Sequence, residues 1–403
     1  MKILVINTGS SSIKYQLFDM NRKKTMVTGL AEKIGEDTSI LTHNIVNNNG
    51  DARKKVENKK IPDHAKGLKR IVELLVDPEW GVIKHKSEIT AVGHRVVHGG
   101  ESFQSSTIID ELVIEAIKEN IPLAPLHNPP NLKGIEVAQS IFPEAPQVAV
   151  FDTAFHQSIP PKAYLYALPY KLYTKNRVRR YGFHGTSHAF VAGTAAEYLK
   201  KPLTKLNLIT VHLGNGASMA AVKNGKCVDT SMGLTPLEGL VMGTRSGDID
   251  PALPFFLAAN LNMSLKDIDR LLNKESGMKG LCGINDMREV EEKAEAGDER
   301  SHTALEVYAY RIKKYIGAYY AALGRLDAVI FTAGVGENSP FIRSLCCSDL
   351  EEMGISIDKQ KNEQQRHDIR EINVSGSKVK VLVVPTNEEK RIAQETKRII
   401  NLK

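Results

Sequence analysis

Two glycine- and hydroxyl-rich turns hold the residues of this chain best suited to grip phosphate. The first is Asn7-Thr-Gly-Ser-Ser-Ser12, followed by Lys14; the second is His212-Leu-Gly-Asn-Gly-Ala-Ser218. Successive backbone N–H groups in such turns, with small hydroxyls beside them, make a concavity that suits an anion. Each turn follows an apolar run and leads into a second strand-like run, not a helix. Neither the Walker loop nor the dinucleotide fingerprint therefore fits. Taken singly, each reads equally well as an ordinary hairpin with a Gly-rich turn. Two of them roughly 200 residues apart point to a duplicated domain, a nucleotide held between its halves, and phosphoryl transfer.

Other reactive side chains fall at the ends of short apolar runs. Ala91–Val97 carries Arg95, and Gln147–Phe151 leads to Asp152. Ala328–Thr332 leads into a Gly334-Val-Gly-Glu-Asn338 turn, and Val379–Val384 leads to Asn387 and Glu388. In open α/β sheets, ligands bind beyond the carboxyl ends of strands. The stretch Tyr181-Gly-Phe-His-Gly-Thr-Ser-His188 places His184 in a tight loop beside Arg179 and Arg180. A lone histidine is more often structural, but this crowding argues the other way.

The elements that must position these groups alternate between strand and helix, which argues for an α/β fold. Leu305, Tyr308, Ile312, Ile316, Tyr319 and Leu323 recur at helical spacing, and Gly324 follows as a stop. Asn224-Gly225 is a type I′ hairpin signal. Thr386-Asn-Glu-Glu389 opens the last helix with a residue able to cap it. At 403 residues the chain has room for two or three domains. The expected boundary follows Phe151–Thr153, and the last helix is expected to return to the first half. That gives a discontinuous N-terminal domain of 1–153 plus 386–403 and a C-terminal nucleotide-binding domain of 154–385.

Composition narrows the function class. A quarter of the residues are charged and the net charge is +7, which mildly favours anionic substrates. The basic clusters at Arg22–Lys24 and Arg53–Lys60 lack interleaved aromatics, so they read as solvated surface and not as a nucleic-acid patch. No apolar run approaches the roughly 18 residues of a membrane span, and Met1-Lys2-Ile3 enters a strand without a secretory cleavage site. A soluble cytoplasmic protein, with no membrane or nucleic-acid partner, is expected. Cys227, Cys282, Cys346 and Cys347 form no CxxC pair, so reduced, structural thiols are expected.

Longer motifs carry a family resemblance. They are the two phosphate turns, Gly93-His-Arg-Val-Val-His-Gly-Gly100, Pro125-Leu-His-Asn-Pro129, Phe151-Asp-Thr-Ala-Phe-His156 and Tyr181–His188. Met242-Gly-Thr-Arg-Ser-Gly247, Phe331-Thr-Ala-Gly-Val-Gly-Glu-Asn338 and Pro385-Thr-Asn-Glu-Glu389 complete the set. In this order, across nearly the whole chain, they resemble the acetate kinases. The resemblance implies an α/β fold of two related ribonuclease-H-like domains around a nucleotide cleft, as in the sugar kinase, heat-shock protein and actin superfamily. It implies reversible phosphoryl transfer between ATP and acetate, giving acetyl phosphate and ADP. It also implies a homodimer that needs Mg2+, with Mn2+ as a substitute.

Matched residue by residue, the resemblance assigns catalysis to Arg95, Asp152, His184 and Arg245. Acetate would contact Arg95 and a small apolar pocket of Val97, Leu126, Phe183 and Pro236. Nucleotide phosphates would lie against Lys14, His212, Leu213, Gly214, Asn215 and Gly216. Adenosine would lie between Asp286, Met287 and Arg288 and the loop of Gly334, Val335, Gly336, Glu337 and Asn338, with Ile342 behind. Asn7 and Glu388, with Asp152 as a further candidate, would hold the metal, and Ser10, Ser12 and His127 would line the phosphate path. The chain departs from its relatives at Gly283-Ile-Asn-Asp286, one residue shorter than usual, and at Glu289 in place of a common Asp.

Elementary chemistry agrees with that assignment. A short carboxylic acid, with a pKa near ~4.3, is already ionised at neutral pH and needs no general base. The obstacle is bringing one anion against another, so the site must supply cations and donors aimed at the transferring group. Arginine suits this because its planar fork pairs two oxygens and stays charged. Glycines beside the arginines (Gly93, Gly99, Gly243 and Gly247) are expected to admit close approach of a ligand. Propionate or butyrate kinase is the nearest alternative. A sugar kinase would need Asp152 as a base against a hydroxyl. A non-catalytic nucleotide switch would leave Arg95 and Arg245 without a task.

Overall fold

A continuous apolar run in β1 (Lys2–Thr8), buried on both faces, pairs with β2 (Ile13–Asp19) to build the first hairpin, with Asn7 directly opposite Lys14. Its turn is closed by the Gly9 N–H, which donates to the Ser12 carbonyl at 2.9 Å. The chain is seen here as a computed structural model that describes residues 1–46, 52–125 and 127–402. It divides into two compact units, Met1–Phe155 with Asn387–Lys403, and His156–Thr386.

In the first unit, β3 (Lys24–Glu32), β4 (Ser39–Val46) and β5 (Ala52–Lys59) continue the antiparallel meander from β2. On the other side of β1, β6 (Ile89–Val96) and β8 (Gln147–Phe151) join in parallel, and the short β7 (Thr107–Ile108) closes the edge. The second unit repeats the plan. β9 (Asn207–Leu213), β10 (Ala217–Lys223) and β11 (Lys226–Thr230) form the antiparallel part. β12 (Ala328–Thr332) and β14 (Lys380–Val383) add in parallel beside β9, with β13 (Arg370–Glu371) at the edge. The order β3-β2-β1-β6-β8 thus has the same sense of pairing as β11-β10-β9-β12-β14. This is a mixed α/β fold built twice. Asn224 and Gly225, at φ 50° and 83°, make the type I′ turn between β10 and β11.

The helix Glu388–Ile400 belongs to the first unit. The Asn387 side chain accepts from the Lys390 N–H at 2.8 Å, and Glu388 and Glu389 lie in the first turn, where the helix dipole favours acids. Its apolar face, Ile392 and Ala393, packs with Ile3, Val5, Ala91, Val148 and Val150. That packing corrects one expectation. A side chain on Gly93 would begin 2.4 Å from the Thr396 hydroxyl and 2.8 Å from Ile392, so this glycine admits the helix and not a ligand. Gly99 is likewise filled by the Phe151 ring and Gly247 by the Leu240 carbonyl, whereas Gly243 lies against Asn215 and still borders a cavity.

A second correction concerns Gly334–Asn338. This stretch is a short helix, Ala333–Asn338, and not a turn. The Glu337 carboxylate reaches back to accept the Ala333 N–H at 2.8 Å, satisfying a donor that a turn would have left to solvent. The long helix Glu299–Leu323 is bounded as its sequence signals: Asp298 caps it, and Gly324 ends it at φ 75°.

Gly93→Ala is expected to lose about 1–3 kcal/mol of unfolding free energy, because the added methyl overpacks the helix contact. Gly317→Ala, in the long helix where nothing lies within 4 Å, should instead gain about 0.5–1 kcal/mol. Paired denaturant melts check both.

Candidate functional site

At the carboxyl ends of the parallel strands of the first unit, charge is concentrated. Arg95, near the end of β6, donates from Nε and Nη2 to Asp152 Oδ2, at 2.9 and 2.7 Å. Glu388 Oε2 lies 3.8 Å from the same Nε. Asp152, just beyond β8, is 1% exposed, whereas the Arg95 side chain is 21% and that of Glu388 17% exposed. Lys14 sits 2.8 Å from Glu389 Oε1, and Gln16 donates to the other oxygen at 3.4 Å. Three carboxylates therefore share two cations. Desolvation pushes the Glu388 carboxyl up, Arg95 pulls it back, and Asp152 and Glu389 raise it again, leaving it above its ordinary value. Desolvation works against the Arg95 charge, but Asp152 and Glu388 more than offset it and its pKa is raised.

The structure places the remaining predicted residues of this unit nearby in sequence, with mixed surroundings. Asn7 is half-buried at the end of β1 opposite Lys14, Ser10 is exposed, and Ser12 is half-buried. Lys14, expected on the nucleotide, is held by Glu389. Val97 is buried, and its N–H donates to Asn131 Oδ1 at 3.0 Å. His127 precedes the helix Asn128–Ile141 and is half-buried. Leu126 lies outside the described residues.

In the second unit, His184 has φ 55° and ψ 23°, a left-handed conformation uncommon for a residue with a side chain. It opens the helix Gly185–Tyr198, whose N-terminal dipole favours an anion. Its ring stacks on His212 with centroids 4.3 Å apart. A side chain on Gly216 would lie 3.5 Å from His184 and 3.6 Å from Arg245, so the second phosphate turn runs against both. Arg245 Nη1 donates to the Pro236 carbonyl at 3.1 Å and lies 3.7 Å from the Met242 sulfur. Among the described residues no carboxylate pairs with it, and desolvation lowers its pKa. A half-buried guanidinium held only by neutral groups is well placed to receive an anion.

A buried relay fixes His184. Its Nδ1 is 2.8 Å from Ser218 Oγ, which is 2.8 Å from His188 Nε2, and His188 Nδ1 is 2.7 Å from Thr210 Oγ1. Burial first, then His156 and His212, push His188 well below its usual range, so it is neutral. Thr210 donates to the Ala220 carbonyl, so it accepts from His188 Nδ1–H. His188 Nε2 then accepts the Ser218 hydroxyl, and Ser218 accepts His184 Nδ1–H. The proton of neutral His184 is thereby assigned to Nδ1, and Nε2 donates only when the ring is protonated. His212 Nδ1 is tied in parallel to Ser187 Oγ at 2.8 Å, and Ser187 to Thr386 at 2.9 Å.

A cavity of about 650 Å³ opens beside the second phosphate turn. Gly214, Asn215, Asp286, Met287, Arg288, Gly334, Val335 and Asn338 line it, all of them expected to contact nucleotide. His212, Leu213 and Gly216 sit in or beside the same turn but do not line it, nor do Gly336, Glu337 and Ile342. Ile342 is fully buried, and Glu337 accepts the Thr386 and Ala333 N–H groups. Asp286 caps the helix Met287–Glu295 and pairs with the exposed Arg288 at 2.7 Å. Phe183 is buried and gives its carbonyl to His156, and Pro236 is half-buried. Sequence reasoning missed Asn285, Glu291, Tyr308 and Ser339 in this lining. Tyr308 had read as core from its helical spacing alone; Ser339 and Glu291 share a 2.6 Å hydrogen bond that nothing in the sequence signals.

The acetokinase family model matches residues 2–394. The chain belongs to that family. Curated acetate kinases from Nitratidesulfovibrio vulgaris strain Hildenborough and Thermotoga maritima are 56% and 57% identical to it, covering 98% and 99% of both chains. The crystal structure of Porphyromonas gingivalis acetate kinase superposes with a TM-score of 0.93 at 48% identity, covering 99% of each chain. A propionate kinase from Francisella tularensis superposes with 0.92 at 44% identity and equal coverage. The fold of this acetokinase-family chain is therefore that of the acetate and propionate kinases.

Ser218→Ala is expected to cut kcat about 10–100-fold, the usual cost of losing an orienting partner, with the KM for acetate changed much less. The rate-versus-pH profile should also shift, because the His184 tautomer is no longer dictated. Steady-state kinetics across pH checks it.

Proposed function

We infer that this chain catalyses reversible phosphorylation of acetate by ATP, a phosphotransfer to a carboxyl acceptor giving acetyl phosphate and ADP. The observation that carries the reading is Arg245, a half-buried guanidinium with no carboxylate partner among the described residues, set beside His184 and the second phosphate turn. The family match along the chain supports it.

Roles follow from chemistry. Acetate arrives ionised and attacks without a general base. Arg95, oriented by Asp152, binds its carboxylate; Arg245 neutralises charge on the transferring phosphoryl group, and His184 contacts it. The turn Leu213–Gly216 cradles the nucleotide phosphates with its amides, and the large cavity takes the nucleoside. Val97 on the first unit and Phe183 and Pro236 on the second are the residues proposed to limit the length of the acyl chain. Asp152 is poorly suited to act as the base of a sugar kinase, because its Oδ2 already accepts two Arg95 N–H bonds.

The donor set around Glu388 fits magnesium: oxygen ligands only, an excess of carboxylate over cation, and one carboxylate that Arg95 does not engage closely. Glu388 and Asn7 would hold the ion, with Asp152 adjacent. Magnesium, when bound, would supply charge neutralisation at the phosphate oxygens. Among the described residues no cluster of three His, Cys, Asp or Glu side chains forms a ready metal cage, as expected of an ion that keeps most of its waters.

A homodimer and a cytoplasmic setting complete the proposal. No described helix is long and apolar enough to cross a membrane. The helix Leu253–Leu261 buries none of its residues, and Phe255 is 76% and Phe256 56% exposed. An apolar helix left in water in the isolated chain is well suited to pack on a second copy.

Hydroxylamine trapping with acetate, propionate and butyrate tests the activity. Turnover should fall from acetate to propionate by the tenfold or more that about 1–3 kcal/mol per methylene allows, and nearly vanish with butyrate. A propionate preference would keep the chemistry and overturn the pocket; no acyl phosphate with any acid would overturn the function. Arg245→Ala should cost about 10²–10³ in kcat. Because the Glu388 carboxyl is raised, it protonates at higher pH than an ordinary glutamate. Half-saturating magnesium should therefore climb as pH falls towards 5.5, and Glu388→Gln should abolish that climb.

A further inference from the structure

On the second unit, away from the phosphate turn, two arginines are buried together without a counter-ion. Arg343 is 1% exposed and Arg370 7% exposed. Arg343 donates to Asn362 Oδ1 at 2.7 Å, to the Asn362 carbonyl at 2.8 Å, and to the carbonyls of Gly336 and Glu337 at 2.9 and 3.0 Å. Arg370 donates to the carbonyls of Arg366 and Glu337, at 2.7 and 2.9 Å, and its buried Nε has no partner. Every acceptor is neutral. Desolvation, then repulsion from Arg370, pushes Arg343 down to about 10, and desolvation lowers Arg370 as well. A buried charge unpaired in this way is costly and is normally matched by an anion.

Both arginines line a separate cavity of about 130 Å³, together with Asn362, Gln365, Arg366 and His367. At roughly 30 Å³ of liquid volume per water, this is room for about four waters or one tetrahedral oxyanion, and far too little for a nucleotide. The acidic neighbours are already engaged. Glu337, on the cavity wall, accepts two backbone N–H groups; Glu363, also on the wall, lies 4.0 Å from Lys359; and Asp368 pairs with Arg366.

The position gives an occupant leverage. Three of these hydrogen bonds, to the Gly336 and Glu337 carbonyls, end on the helix Ala333–Asn338, whose Gly334, Val335 and Asn338 line the large cavity. Asn338 borders both cavities.

We propose that the Arg343–Arg370 pocket is a second, non-catalytic site for a phosphate-type oxyanion, and that its occupancy alters nucleotide affinity through the helix Ala333–Asn338. The coupling rests on the nucleotide reading of the large cavity; the anion site does not.

The test uses the full-length enzyme saturated with a non-hydrolysable ATP analogue and magnesium, so that the position of the transferring phosphoryl group is filled, and inorganic phosphate as titrant. Saturable binding by calorimetry, with slower hydrogen–deuterium exchange over residues 359–371, is expected. Arg370→Gln should weaken it at least tenfold while leaving phosphate-free kcat within twofold, and Arg370→Lys should retain part of it. Phosphate should also change the apparent ADP affinity of the wild type by at least threefold and not that of Arg370→Gln. A monoester such as glycerol 3-phosphate binding more tightly than phosphate would assign a phosphorylated metabolite; weaker binding would assign free phosphate. The site is overturned if wild-type enzyme shows neither saturation nor protection, or if Arg370→Gln binds phosphate equally well. Failure of the nucleotide itself to bind would strike the nucleotide reading instead, and phosphate protection of 359–371 without nucleotide would still decide the anion site.

Discussion

The constraint on which this molecule depends is that negative charge must be gathered at one place and kept in balance there. In the first unit the balance is between Asp152, Glu388 and Glu389 on one side and Arg95 and Lys14 on the other. Arg95 is held by the deeply buried Asp152, so its guanidinium is fixed in plane and its charge secured against desolvation. The surplus carboxylate, Glu388, is left raised and receptive to a cation. Removing Asp152 would release Arg95 from its fixed plane and leave Glu388 as its remaining carboxylate neighbour. The stability of the carboxyl-end cluster and the chemistry proposed for it are therefore one arrangement.

In the second unit the imbalance has the opposite sign. Arg245 is half-buried among carbonyl and thioether groups, and its charge calls for an anion that the described residues do not supply. His184, in a strained left-handed conformation, is kept there by the helix it opens and by a relay running through Ser218 to the neutral His188. Strain of this kind persists only where the surroundings over-determine it. The relay supplies that determination and sets which nitrogen carries the proton.

Much of this was legible in the sequence. The two hairpins, the strand ends carrying Arg95 and Asp152, the long helix with its Gly324 stop and the capped terminal helix all follow from local patterns, since each is written in neighbouring residues. The glycines misled. Gly93 looked like room for a ligand but is room for Thr396, a residue some 300 positions away, and no local pattern reports that packing. Lys14 sits one strand residue from a phosphate turn, yet its ion pair with Glu389 depends on the returning helix. Tyr308 is buried as its helical spacing implies, and only the tertiary fold also brings it to a cavity wall beside Glu291. Arg343 and Arg370 carried no motif at all; their significance lies in burial without a counter-ion, a property sequence does not contain.

The central claim is that an already ionised carboxylate attacks phosphorus directly, because fixed cations and not an enzyme nucleophile or base remove the barrier. Glu388 is the group that a two-step alternative would phosphorylate. The most direct measurement is the stereochemical course with ATP made chiral at the γ-phosphorus. Inversion in the acyl phosphate is the predicted result of a single in-line displacement. Retention would require two displacements through a phosphorylated residue and would contradict the account.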